Sequence, residues 1–122
     1  MSGVNINGFL KSLDEYSKRQ KEAIARSVGK FAEDVLSRAV ELCPEDTGAL
    51  RDSATKGDVV TTATDIFCTI GFNTNYAAAV HEILDNHHPK GGGPKYLENA
   101  MREMAGQFKD YVEEELREEF GD

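Results

Sequence analysis

Between Asp14 and Leu42 the chain carries no proline, and Ile24, Val28, Phe31, Val35, Ala39 and Leu42 recur at steps of three and four. That spacing stacks six apolar side chains on one side of a 3.6-residue spiral, so the segment is predicted to be a long amphipathic helix. Pro44 biases Cys43 away from helical angles and ends it. Gly29 sits inside at a cost of about 1 kcal/mol relative to Ala. At ~1.5 Å per residue the helix would run about 43 Å, against a diameter of roughly 35 Å for a compact chain of 122 residues. A helix of that length should overhang its own domain and find cover in a neighbouring subunit. Upstream, Ile6, Phe9, Leu10 and Leu13 form a second apolar stripe, while Ser17 to Glu22 is polar. Residues 1–13 therefore read as a separate helix or arm, or as the start of one helix with an exposed middle.

The length is that of one domain, 1–122. With 39% hydrophobic and 30% charged residues and a mean hydropathy of −0.50, the composition is that of an ordinary soluble chain, and no apolar run approaches the ~20 residues a bilayer span needs. No membrane partner is expected. A net charge of −8 argues against sequence-independent attraction to nucleic acid or anionic lipid. Residues 98–122 concentrate it, with nine acids against three bases. Glu114, Glu115 and Glu118 belong to this run, which reads either as a solvated helix face or as a surface that repels phosphate. Lys18, Arg19, Lys21 and Arg26 alternate with acids and read as a salt-bridged helix surface. Cys43 and Cys68 form no CxxC pair, and no signal peptide precedes them, so reduced, buried thiols in a cytosolic setting are expected.

After Pro44-Glu45-Asp46-Thr47-Gly48 the composition turns to Thr and Val. Ala54–Thr62 and Asp65–Phe72 read as a β-hairpin turning at Ala63-Thr64, with Ile66, Cys68, Ile70 and Phe72 on one face. A short helix is predicted from Tyr76 to about Leu84, then a loop through Gly91-Gly92-Gly93. Pro94 suits the first turn of a last helix, along which Leu97, Met101, Met104, Phe108, Val112, Leu116 and Phe120 keep helical spacing. The predicted class is α+β: long helix, small antiparallel sheet, short helix, Gly-rich loop, and a C-terminal helix on one sheet face.

His81-Glu82-Ile83-Leu84-Asp85 approaches the HExxH zinc motif, with Asp85 in place of the second His. A small metal-dependent hydrolase using His81, Glu82 and Asp85 is thus one alternative function, and a helical adaptor dimerising through the first helix is another. No GxSxG, no Cys with an adjacent His base and no phosphate loop of the GxxxxGK[ST] type occurs, and Pro94 removes an N–H that a phosphate cradle after the glycines would use. No catalytic residue and no cofactor is expected. Asp46-Thr47-Gly48 by itself reads as a turn in which Asp or Thr accepts a backbone bond and Gly takes positive φ.

Three blocks taken together carry more. Pro44-Glu45-Asp46-Thr47-Gly48-Ala49-Leu50-Arg51-Asp52-Ser53, then Tyr76-Ala77 with His81-Glu82, then Pro94-Lys95-Tyr96-Leu97 follow one another in the order P-x-D-T-G-x-L-R-x-S, Y-A-x-x-V-E/H and P-x-F/Y-L-x-x-A. This pattern resembles the tail-component, or tail-completion (neck), family of long-tailed double-stranded DNA bacteriophages and prophages. The chain departs from the family pattern at Ile83-Leu84, where a Gly often follows the acidic residue. The resemblance implies a structural virion protein and no enzyme. It would close the tail at the head–tail junction as a ring, often a hexamer, with an axial channel. Its partners would be other copies of itself, connector and tail-tube proteins, and DNA only as passing cargo; it would assemble in the host cytoplasm and reside in the virion. Within that frame Asp46, Gly48 and Ser53 are structural, Thr47 caps the turn, Leu50 is buried under the sheet, and Arg51 reaches a carboxylate locally or across a subunit boundary. Glu114, Glu115 and Glu118 are candidates to line the channel.

Overall fold

The computed structural model describes residues 3–5, 15–44, 48–73, 76, 77, 79, 80 and 94–121. The architecture is α+β, in the order β1 (Gly3–Asn5), α1 (Lys18–Leu42), α2 (Gly48–Asp52), β2 (Ala54–Lys56), β3 (Val60–Thr61), β4 (Ile66–Phe72), α3 (Lys95–Met104), a 3₁₀ turn (Ala105–Gln107) and α4 (Phe108–Phe120). Tyr76, Ala77, Ala79 and Val80 are helical, as expected for the short helix after the sheet.

The long helix starts four residues later than its sequence pattern suggests, and the cause is local. Ser17 Oγ accepts from the Gln20 N–H while Gln20 Oε1 accepts from the Ser17 N–H, a reciprocal capping box. The polar stretch Ser17–Glu22 is therefore a helix start, and the 25 residues of α1 span about 37 Å rather than 43 Å. The expected overhang shrinks accordingly. Cys43 ends α1 in an extended conformation before Pro44, and the stripe at Ile24, Val28, Phe31, Val35 and Ala39 is buried as the periodicity requires.

The sheet is built around β4, antiparallel to every neighbour. Gly3–Asn5 runs along one edge with Val4 opposite Cys68, so the extreme N-terminus contributes a strand where a helix or arm was expected. The stripe at Ile6, Phe9, Leu10 and Leu13 lies outside the described residues. Along the other edge the expected single strand is split. Lys56 faces Ile70 and Val60 faces Phe67, so three residues, 57–59, oppose two on β4. This is a β-bulge. Gly57 donates its N–H to Thr69 O at 2.9 Å, and the Cys68 thiol donates to Gly57 O at 3.3 Å. The hairpin turn falls where expected, with the Thr62 N–H on Asp65 O at 2.8 Å.

One face of β4, Ile66, Cys68, Ile70 and Phe72, is wholly buried and merges with the α1 stripe, Leu97, Ala100, Phe108 and Val112 into one core cluster. The bulge passes close over α1: a Cβ on Gly29 would stand 3.1 Å from Val59 Cγ2. That close approach accounts for a glycine in the middle of a helix. The C-terminal helix is one continuous run in its sequence spacing but is broken by the 3₁₀ turn, at the exposed Gly106. The winding tightens there, with the Phe108 N–H donating to Ala105 O. α3 meets the sheet through Tyr96, whose ring stands edge-on to Phe72 at 5.2 Å. α4 runs back along α1, with Phe31 edge-on to both Phe108 and Tyr111.

Candidate functional site

The first and third sequence blocks meet at the C-terminal end of α1, and the second lies across the sheet from them. In the first block, residues 45–47, including Asp46 and Thr47, lie outside the described residues. Gly48 opens α2 in free space, where an added Cβ would touch nothing within 4 Å. The positive φ expected at this glycine is not found; among the described residues Gly121 is the glycine in that region. A helix start has no use for it. Leu50 is half-buried and packs on the core edge. Ser53 closes the short helix, its Oγ and its N–H both donating to Leu50 O, at 2.6 and 3.1 Å.

Arg51 does more than the turn requires. Its Nη2 donates to the carbonyl of Cys43, the C-cap of α1, at 2.7 Å. α1 has no basic residue in its own last turn, so Arg51 brings from α2 the positive charge that a helix C-terminus favours. The expected carboxylate partner thus gives way, for this nitrogen, to a backbone carbonyl. Arg51 Nε is buried and has no hydrogen-bond partner among the described residues. Arg51→Ala is expected to cost about 1–2 kcal/mol through loss of this charge-assisted bond, read as a lower urea midpoint. Oligomerisation unchanged in that variant would place the role of Arg51 inside the subunit.

The second block explains two glycines at once. A Cβ on Gly71 would lie 3.0 Å from Tyr76 Cα and 3.1 Å from Tyr76 N, and one on Gly57 would lie 2.8 Å from the Tyr76 hydroxyl. Tyr76 therefore covers the sheet face opposite α1, over a floor with no side chains. Asn73 turns the chain toward it with φ of +47°, a conformation Asn tolerates better than most residues. Ala77 is exposed. His81 and Glu82, with Asp85, lie outside the described residues.

In the third block Pro94 is the N-cap of α3, and its carbonyl accepts from the N–H groups of Leu97 and Glu98. Leu97 is fully buried. Burial first, then the neighbouring Cys43 and a hydrogen bond with it, push the Tyr96 phenol up. Tyr96 thereby joins Cys43 to Phe72, and Phe72 pairs across the ladder with Ala54. The blocks form a structural knot: Arg51 and Tyr96 on the end of α1, Phe72 beneath, Tyr76 on the far face. Sequence reading missed Cys43 and Gly57 in this knot, although an isolated glycine within a strand pattern is the usual sign of a bulge.

The acidic run divides. Glu115 is buried at 3% exposure, with Lys30 Nζ at 2.7 Å and Arg26 Nε at 3.1 Å. It faces α1, which departs from the expectation that it lines a channel. Glu119 takes Arg19 and Arg26, at 3.1 and 3.6 Å, so Arg19, Arg26 and Lys30 are matched across the helix pair, while Arg38 pairs with Glu41 along α1. Glu114 and Glu118 stay exposed. Lys30, Glu33, Asp34, Tyr111, Glu114 and Glu115 border an open cleft of about 330 Å³, in which the Tyr111 hydroxyl donates to Asp34 at 2.6 Å. Among the described residues no group of three or more His, Cys, Asp or Glu could hold a metal ion. No described helix is long and apolar enough to cross a membrane.

Comparison with known proteins gives the knot its context. Residues 7–82, more than half of the chain, match the HK97-gp10-like family, described as "Bacteriophage HK97-gp10, putative tail-component". The match takes in α1, the Arg51 block, β2 to β4 and the Tyr76 block; it leaves out β1 and stops short of Pro94, Tyr96 and Leu97. No curated protein matches the chain, and no solved structure does. The chain belongs to the HK97-gp10-like family of bacteriophage tail components.

Proposed function

We propose that this tail component is the subunit that completes the tail at the head–tail junction, as a ring around an axial channel through which DNA passes as cargo. The observation that carries the reading is the family match over α1, the Arg51 block and the Tyr76 block. The knot supports a structural rather than an enzymatic role, because Arg51, Tyr96 and Phe72 spend their interactions on holding elements together. Partners are further copies of the chain, connector proteins and tail-tube proteins, and the place of action is the virion neck. The exposed Glu114 and Glu118 suit a channel wall, since fixed negative charge keeps phosphate from adhering. Glu115 is engaged inside the subunit and leaves that task to them.

Light scattering across a concentration series, followed by negative-stain imaging of any large species, tests the reading. Rings of about six subunits are expected, in line with the closed symmetry of most assemblies. A strict two-fold dimer at every concentration would replace this reading with that of a dimeric adaptor.

A further inference from the structure

We propose that the last two turns of α4 are a latch, closed on α1 by charge and released as a unit by acid or salt while the sheet and the rest of the core stay folded. The seam between α1 and α4 changes character along its length. Near the 3₁₀ turn it is apolar, with Phe108 and Val112 buried against Phe31. Beyond Val112 the half-buried Leu116 is, among the described residues, the one aliphatic side chain that still packs on the core, and the remaining contacts are ionic: Glu115 lies between Lys30 and Arg26, and Glu119 between Arg26 and Arg19. Arg19 also lies over the Phe120 ring, 4.7 Å from its centroid, yet Phe120 remains 47% exposed. Segments held by ion pairs at a solvent boundary, with little apolar burial of their own, open at lower free energy than the core they lean on.

The direction of the pH effect follows from the groups facing Glu115. From α1 these are Lys30, Arg26 and, further along, Asp34 and Glu33; from α4 they are Tyr111, Glu114, Glu118 and Glu119. The hydrogen bond from Lys30, and then that from Arg26, hold the Glu115 carboxyl below its usual range against the opposing effect of burial. A carboxyl lowered in the docked state stabilises docking fully at neutral pH and loses that contribution as pH falls through its lowered value. Lys30 is raised by Glu115 and stays charged throughout this range. Tyr111 is pushed up to about 12, first by burial and then by Asp34, and stays neutral. Release is therefore an acid-side event, and added salt weakens the same pairs by screening.

Amide hydrogen exchange on the full chain tests the latch. At neutral pH and low salt, Glu115→Gln is expected to speed exchange of amides 113–120 at least tenfold, with β4 amides unchanged. Wild-type protein in 1 M salt should move the same amides toward the rates of the variant, and Glu114→Gln, which alters an exposed neighbour, should not. Exchange of 113–120 that changes only in step with β4, or that rises equally in Glu114→Gln, would overturn the proposal. The wild-type salt series decides the question by itself if Glu115→Gln fails to fold: no selective acceleration of 113–120 means no latch.

Discussion

Replacing Phe72 by Ala is expected to cost about 3–5 kcal/mol, the range for deleting a buried aromatic ring. Phe72 is fully buried, edge-on to Tyr96, and paired across the ladder with Ala54. The cavity would open where α1, α3 and β4 meet, and elements from three parts of the sequence cannot all close on it. For a chain of this size each kcal/mol shifts the midpoint by roughly 4 °C, so a fall in Tm of about 12–20 °C should appear in a thermal melt. A drop under about 4 °C would mean that the site collapses around the loss, and the knot would not be the rigid junction described above. The loss is also a large fraction of the roughly 5–15 kcal/mol that holds a domain folded.

The second large effect concerns an added methyl group. Gly71→Ala places a Cβ within 3.0–3.1 Å of the Tyr76 backbone, which cannot yield as the far end of a flexible side chain would. Overpacking of this kind costs about 1–3 kcal/mol. Gly48→Ala is the control, because nothing lies within 4 Å of a Cβ there and the residue opens a helix. That variant should be neutral, or stabilising by up to about 1 kcal/mol through reduced unfolded-state freedom. Urea midpoints of the two variants compare a glycine needed for close approach with one that is not; equal midpoints would refute the fit of Tyr76 over the sheet.

What sequence could and could not reveal follows from the range of each signal. The α1 face and the inward residues of β4 were legible because periods of 3.6 and 2 repeat often enough to stand out. Ser17-x-x-Gln20 was legible in principle as a capping box, and would have placed the start of α1 correctly. Gly3–Asn5 has three residues, too few for any alternation to register, and its strand character comes from the edge of β4 that it covers. The break at Ala105–Gln107 left Met101, Met104 and Phe108 on an unbroken helical spacing, so only Gly106 hinted at it. Within the knot, the block residues were found but not their partners. Arg51 meets Cys43 and Tyr96 meets Phe72 through tertiary packing that no local pattern encodes. Glu115 was hidden in a run of acids, although it lies seven residues after Phe108 and shares its side of α4.

Two pairings span long stretches of the sequence, β1 with β4 and α4 with α1. These pairings join residues far apart in sequence, about a hundred positions for Arg19 and Glu119, so their loops must close before the contacts repay the entropy. Such a topology slows folding relative to a helical bundle with local contacts. During synthesis α1 emerges before α4, the helix that completes its cover. A subunit whose α1 is fully covered therefore exists only once α4 has been made, and until then the apolar stripe of α1 is a hazard that the nascent chain carries.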